Sequence, residues 1–109
     1  MTRETELAWL TGLIEADGYI GTHTRANGSK RFKIAVEMVD EDAVRRCKEL
    51  TGEGHVITYD REGKEGQNWK RTWKWQVQST AAVQKVLTML MPYVYTKRRR
   101  ESMQGVLEG

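Results

Sequence analysis

The stretch of sequence that decides the fold lies close to the amino terminus and is Leu10-Thr11-Gly12-Leu13-Ile14-Glu15-Ala16-Asp17-Gly18. Apolar residues in this stretch and just before it recur at the spacing of one helix face; they are Leu7, Leu10, Leu13 and Ile14. This spacing predicts an amphipathic helix with Thr5 as its N-cap and Asp17 near its end.

Two features of this helix point beyond its own packing. Ala8, Gly12 and Ala16 lie four residues apart and form a stripe of small side chains. Such a stripe allows two helix backbones to approach each other closely. Asp17 stands at the C-terminal end, where the helix macrodipole already places partial negative charge. A carboxylate is easier to hold there when a cation lies beside it.

Residues 10–18 resemble the signature motif of the LAGLIDADG homing endonucleases. Seven of the nine letters match, while Thr11 replaces the usual alanine and Glu15 replaces the first acidic residue. The sequence shows no second copy of the motif. The alternative for this segment alone is an ordinary core helix that ends in a glycine cap.

Length and charge bound the class of protein. At 109 residues, the chain is predicted to form a single domain over residues 1–109, and its 39% hydrophobic content is enough for a core. The net charge of +3 is mildly basic, so the clustering of basic residues matters more than their total. Charge alone leaves open a soluble basic domain whose charges are merely solvated.

The single cysteine and the absence of long apolar runs exclude several other classes. Cys47 has no partner for an intrachain disulfide and is predicted to be a buried thiol on a helix. No apolar run approaches the roughly 18 residues of a membrane span, and the first residues lack a signal-peptide core. We therefore expect a soluble, intracellular protein without a membrane partner.

Alternating and helical patterns divide the rest of the chain. Strands are predicted over residues 19–25, 32–39, 55–60 and 69–78, the first two joined by an Asn-Gly turn. Asp40 is the expected N-cap of a second helix with the stripe Ala43, Cys47 and Leu50, closed by Gly52.

A third helix and a C-terminal helix complete the predicted order. Thr80 is the expected N-cap of the third helix, whose apolar stripe is Val83, Val86, Leu87 and Leu90 and which stops at Pro92. The C-terminal helix begins with the basic run from Lys97. The order αββαββα predicts an α+β domain with a four-stranded antiparallel sheet backed by helices on one face, which is also the homing endonuclease-like fold.

The sheet face away from the helices is predicted to be basic. Its side chains, together with those of the adjoining loops, are His23, Arg25, Arg31, Lys33, His55, Tyr59, Arg61, Lys70, Lys74, Gln76 and Gln78, with Glu37 as the one acid. Such residues neutralise phosphates and contact base edges, and a β-ribbon fits a major groove about 12 Å wide. The alternative is a strand face that is basic for solubility alone.

The resemblance implies more than the pattern does. It implies that this sheet lies along the major groove of double-stranded DNA and that the stripe Ala8, Gly12 and Ala16 forms the interface of a homodimer. A two-fold protein then recognises a palindromic or nearly palindromic site.

The resemblance also assigns the catalytic residues. It makes Asp17 the metal-binding catalytic acid, with the backbone carbonyl of Ala16 as a further ligand, and it implies Mg²⁺. Lys97 corresponds to a basic residue that the family carries into its active site. Asp40 matches a family position close to active-site water, although N-capping explains it equally well. We expect Glu15 to make a structural or interface contact instead.

The basic run continues past Lys97. Arg98 and Arg99 would place positive charge at a helix N-terminus, where a phosphate would relieve the conflict with the dipole, so both are predicted to contact DNA.

The leading hypothesis is therefore a Mg²⁺-dependent, homodimeric, site-specific DNA endonuclease. The alternatives are a maturase-like RNA-binding splicing factor and a non-catalytic DNA-binding protein on the same fold. Retention of both Asp17 and Lys97 favours cleavage, because an RNA chaperone has no need for them.

Overall fold

A computed structural model describes residues 2–59 and 71–108 of the chain. Its elements are α1 (Arg3–Asp17), β1 (Tyr19–Thr24), β2 (Lys30–Met38), α2 (Glu41–Thr51), β3 (His55–Tyr59), β4 (Thr72–Val77), α3 (Thr80–Leu90) and α4 (Lys97–Glu108), with a 3-10 turn at Met91–Tyr93. The predicted α+β class and element order are confirmed. None of the helices within the described residues is long and apolar enough to cross a membrane.

The four strands form one antiparallel sheet in the order β1-β2-β4-β3. In its register, Ile34 pairs with Ile20 on one side and with Val77 on the other, while Val36 pairs with Trp75. Ile34, Val36, Trp75 and Val77 are almost completely buried, which identifies their face as the one covered by the helices. Because strand side chains alternate, their sequence neighbours lie on the opposite, open face of the sheet.

Helix α1 packs on this core through Leu7, Leu10, Thr11 and Ile14. The Thr11 hydroxyl is fully buried and donates to the carbonyl of Leu7 at 2.7 Å, so the polar group costs little in the core. Leu13, which the helical pattern placed on the apolar side, is only partly buried.

Gly18 at the end of α1 is required by close packing. A Cβ atom at this position would lie 2.7 Å from both the Cα and the carbonyl oxygen of Ile14. The chain therefore turns directly from α1 into β1 with no space for a side chain. This contact explains the glycine that ends the motif.

Two predicted N-caps are wrong. The cap of α1 lies about one turn before the predicted residue, and the cap of α3 lies one residue before it. Thr2, rather than Thr5, caps α1, because its side chain accepts the Thr5 N–H. Ser79, rather than Thr80, caps α3, because its hydroxyl accepts the Ala82 N–H at 3.0 Å. In both cases the side-chain oxygen satisfies an N–H of the first turn, so the capping residue precedes the first helical one.

Helix α2 corrects two further expectations. Asp40 occupies the N-cap position but makes no side-chain hydrogen bond to the helix. The buried stripe contains Val44, not the predicted Ala43, together with Cys47 and Leu50. Gly52 ends the helix in the left-handed conformation, with φ of 70°, as the glycine cap predicted.

The strand and helix ends differ slightly from the predicted ranges. The second strand begins at Lys30 and ends at Met38, and the first ends at Thr24. The start of the predicted fourth strand lies outside the described residues, and residue 71 precedes β4 without strand pairing. Cys47 is buried as predicted, and its burial raises the pKa of the thiol to about 12.

The tight contact at Gly18 yields a stability prediction. We expect Gly18→Ala to lower the free energy of unfolding by about 1–3 kcal/mol through overpacking against Ile14. Gly105→Ala is the matched control, because no atom lies within 4 Å of a Cβ at that helical position. Alanine should there raise stability by about 1 kcal/mol. Urea unfolding followed by tryptophan fluorescence measures both, and equal effects of the two variants would contradict this account.

Candidate functional site

The candidate site lies where α1 ends, at the edge of the open face of the sheet. The exposed Asp17 is the last residue of α1, and β1 starts at Tyr19. The helix thereby delivers the carboxylate to the edge of the open sheet face. Asp17 lines an open cleft whose other walls are Tyr19, Lys33, Ala35, Glu37 and Lys74.

The donor atoms around Asp17 suit a hard divalent cation. The last helical hydrogen bond of α1 runs from the Gly18 N–H to the carbonyl of Ile14. The carbonyl of Ala16 comes after that acceptor, so α1 itself leaves it unsatisfied. Carboxylate and carbonyl oxygens are the ligands that Mg²⁺ prefers, and the ion commonly keeps several waters. Within residues 2–59 and 71–108, no group of three or more His, Cys, Asp or Glu side chains surrounds this position.

Glu15 faces away from the cleft and binds the start of α4. Its Oε1 accepts the N–H of Tyr95 at 2.8 Å, the N–H of Thr96 at 2.9 Å and the Thr96 hydroxyl at 3.2 Å. Desolvation works to raise the pKa of this carboxyl, but these hydrogen bonds and the nearby Arg99 charge outweigh it and leave the pKa below its ordinary value. Glu15 therefore makes the structural contact that its sequence position predicted.

The basic run of α4 divides into exposed and engaged side chains. Lys97 and Arg98 are exposed, and the Lys97 ammonium lies 3.8 Å from Glu101. Arg99 is half-buried and donates from Nη2 to the carbonyl of Gly18 at 2.8 Å, while Arg100 donates to the carbonyl of Val94 at 2.8 Å. Arg98 is therefore the freer candidate for a DNA contact, and that role for either residue remains a prediction.

The sheet register places five of the predicted DNA-contacting residues on the open face: Arg31, Lys33, His55, Lys74 and Gln76. Paired positions on this face include Gly21 with Lys33, Glu37 with Lys74, and His55 with Gln76. Arg25 lies in the hairpin turn, where its N–H donates to the carbonyl of Ser29. The side chains of His23 and Tyr59, and all of Arg61 and Lys70, lie outside the described part of the chain.

Lys33 and Lys74 form a pair of like charges beside Asp17. Burial lowers the pKa of Lys33, and the positive charge of the neighbouring Lys74 lowers it further. Two neighbouring ammonium groups repel each other. The carboxylates of Asp17 and Glu37 line the same cleft and offset part of that repulsion.

The two predicted glutamines differ in their exposure to a ligand. Gln76 is buried, and its Nε2 lies 2.9 Å from Nε2 of the exposed His55, so the amide is already engaged within the sheet. Gln78 and Arg31 are exposed and line a shared surface depression. Of the two glutamines, Gln78 is therefore the more accessible.

The stripe of small residues lies on the surface of this single chain. Ala8, Gly12 and Ala16 are all exposed, and nothing lies within 4 Å of a Cβ placed at Gly12. Trp9 beside them is 40% exposed. Asp40 is also exposed and occupies the N-cap position of α2, where its carbonyl accepts the Val44 N–H; it does not line the cleft of Asp17, and its catalytic role remains a prediction.

The residues predicted to contact DNA did not include Tyr19, which also lines the cleft. Tyr19 is 57% exposed, and its hydroxyl lies 2.1 Å from where a Cβ of Gly21 would be, so its ring lies along β1 above that glycine. The signal was present in the sequence, because Tyr19 and Gly21 share a strand face and a glycine leaves space for a neighbouring ring.

Solved LAGLIDADG homing endonucleases share this fold. The homing endonuclease I-CvuI, solved in complex with its target, superimposes with a TM-score of 0.76 at 21% identity. The match covers 97% of this chain and 66% of that one. No protein-family model and no curated protein sequence matches the chain.

Two further solved structures have the same fold. The archaeal intron-encoded homing endonuclease I-Vdi141I, complexed with DNA, matches with a TM-score of 0.66 at 19% identity, over 99% of this chain and 72% of that one. The LAGLIDADG meganuclease I-AabMI, bound to uncleaved DNA, matches with a TM-score of 0.67 at 14% identity, over 90% of this chain and 33% of that one. The predicted fold is confirmed.

The lysine pair generates a prediction about its electrostatics. We expect Lys74→Gln to raise the pKa of Lys33, because the substitution removes a like charge and leaves burial as the main remaining cause of the shift. Titration of the Lys33 side chain by NMR measures the change. Lys85→Gln on α3 is the control, since Lys85 pairs with Glu53 instead. A Lys33 pKa that stays the same in Lys74→Gln would contradict contact between the two ammonium groups.

Proposed function

We propose that this chain is one subunit of a site-specific double-strand DNA endonuclease that acts as a homodimer. The observation that carries the proposal is the position of Asp17 at the edge of a basic open sheet face. I-CvuI and I-Vdi141I, which share the fold, were solved with bound DNA. The shared fold supports a DNA partner, and the side chains around Asp17 support cleavage of the phosphodiester bonds.

The open sheet face is the proposed binding surface for the major groove. Lys33 and Lys74 would neutralise backbone phosphates, and the release of counterions would drive binding. Arg31 and Gln78, both exposed, would contact phosphates or base edges. A phosphate placed between the two lysines would also remove their mutual repulsion.

Asp17 is the proposed catalytic acid, and the carbonyl of Ala16 is the proposed second protein ligand of a divalent cation. When bound, Mg²⁺ supplies positive charge that neutralises the phosphate and lowers the pKa of water. Lys97 would stabilise charge that develops on the phosphate oxygens. Asp40, exposed and free of a capping bond to α2, would orient water near the site.

The homodimer explains how one chain with one motif could cut two strands. The exposed stripe of Ala8, Gly12 and Ala16 would pack against the same stripe of a second copy. Each copy would then contribute one Asp17 to a shared centre, under the two strands of a palindromic site. Cations between the two carboxylates would offset their repulsion.

The experiment that tests the function is cleavage of a randomised duplex library in Mg²⁺, followed by sequencing of the cut ends. We expect the natural protein to produce ends at one two-fold related sequence. Asp17→Asn should reduce cutting at least about 100-fold while duplex binding is retained, because the charge on the catalytic acid is lost but the sheet is unchanged. Asp42→Asn on α2 makes the same substitution away from the cleft and should cut normally.

Other outcomes would overturn specific parts of the proposal. Duplex binding without cut ends would favour a non-catalytic DNA-binding protein, and tight binding of structured RNA without cleavage would favour a maturase-like role. Normal cutting by Asp17→Asn would remove Asp17 from the mechanism.

The proposed dimer gives a second prediction. The natural protein should sediment as a dimer, and Gly12→Leu should sediment as a folded monomer. The leucine has space within one chain but would block close approach of two helices. Gly105→Leu on α4 is the matched control and should stay dimeric. Sedimentation velocity with circular dichroism measures both, and a dimeric Gly12→Leu would contradict the proposed interface.

A further inference from the structure

The end of α1 and the start of α4 are joined by two contacts that flank both proposed catalytic residues. On one side of Asp17, the Glu15 carboxylate accepts three hydrogen bonds from Tyr95 and Thr96. On the other side, the carbonyl of Gly18 accepts a hydrogen bond from Arg99. Thr96 and Arg99 in turn lie on either side of Lys97.

The charge of Glu15 suits this position. The first N–H groups of a helix have no partner within it, and a carboxylate near them is stabilising. Helix α4 opens with four basic residues, which its own dipole disfavours at that end. Glu15 supplies from another helix the negative charge that the first turn of α4 lacks, since that turn contains no acidic residue.

The contacts of Lys97 itself are weak by comparison. Its side chain is 87% exposed, and its ammonium lies 3.8 Å from the Glu101 carboxylate on the surface of the same helix. Exposed pairs of this kind add little to a preferred geometry. The position of Lys97 relative to Asp17 therefore depends on the backbone of residues 95–99.

We propose that Glu15 is a positioning residue, which holds the start of α4 against the end of α1 and so fixes the position of Lys97 relative to Asp17. This inference rests on the proposed endonuclease function. Glu15 contacts neither substrate nor cation in this account. Arg99 acts with it, because its hydrogen bond to Gly18 joins the same two segments.

The test compares Glu15→Ala and Glu15→Gln with the natural protein. Alanine removes the acceptor, whereas glutamine keeps an oxygen that can accept the Tyr95 and Thr96 N–H groups. Glu4→Ala is the matched control, since it removes one exposed carboxylate from the first turn of the same helix.

Two measurements separate positioning from activity. Hydrogen exchange of the Tyr95 and Thr96 amides by NMR reports the contact without any substrate. We expect the fastest exchange in Glu15→Ala, intermediate exchange in Glu15→Gln, which keeps the acceptor but loses the charge, and natural exchange in Glu4→Ala. The second measurement is the single-turnover cleavage rate of a target duplex, together with the dissociation constant of that duplex. It reports the effect of the contact on cleavage separately from its effect on binding.

We expect Glu15→Ala to lower the cleavage rate by up to about 100-fold, the effect of a displacement of roughly 1 Å in a catalytic group. Duplex affinity should stay within about threefold of the natural value, since Glu15 makes no phosphate contact in this account. Glutamine should restore part of the rate, because it keeps the acceptor and loses the charge. Thermal unfolding of each variant identifies loss of rate through loss of folding. If Glu15→Ala does not fold, a cleavage rate of Glu15→Gln below the natural rate supports the positioning role, and an equal rate contradicts it.

The results distinguish failure of this inference from failure of the proposed function. If the natural protein cuts no duplex, the endonuclease function is wrong. If the natural protein cuts and Glu15→Ala cuts equally fast, or its Tyr95 and Thr96 amides exchange at the natural rate, the positioning role alone is wrong.

Discussion

The hydrogen bonds from Tyr95 and Thr96 to Glu15 join two segments that lie 80 residues apart in the chain. The arrangement of the candidate site depends on this contact more than on any other. Asp17 is placed by a helix that is anchored in the core through Leu10 and Ile14. Lys97 opens a separate helix, and in the proposed function it acts beside Asp17 because Glu15 and Gly18 bind the residues around it.

The covered face of the sheet contributes to the stability of the fold, and the open face is the proposed binding surface. The face under the helices buries Trp75, whose indole N–H donates to the carbonyl of Glu53 at 2.9 Å. The open face carries Lys33 and Lys74 in one cleft with Asp17 and Glu37. In the proposed function, phosphates of a DNA duplex bind to these two lysines. The free energy from the buried face offsets the repulsion between the two ammonium groups.

Much of the fold follows from local patterns in the sequence. The spacing of Leu7, Leu10 and Ile14 predicts α1, alternation predicts β2, and Gly52 marks the end of α2. The identity of the capping residues does not follow from residue type, because Thr2 and Thr5, like Ser79 and Thr80, are equally good hydrogen-bond acceptors. Only the position of the first helical residue distinguishes them.

The site was predictable to the extent that its parts lie close together in the sequence or share a strand face. Asp17 and its glycine belong to one short motif, and Lys33 with Lys74 follows from alternation. The contacts of Glu15 with Thr96, and of Arg99 with Gly18, depend on how α4 packs against α1. No periodicity in a single sequence encodes a contact across that distance, and the same is true of the His55–Gln76 hydrogen bond.

The most direct test of the central claim is a crystal structure of the protein with a bound target duplex. This account predicts that β2 and β4 lie in the major groove. It also predicts that one phosphate of each strand lies between the Asp17 carboxylate and the Lys97 ammonium of one subunit. A duplex bound on another face, or phosphates remote from both side chains, would contradict it.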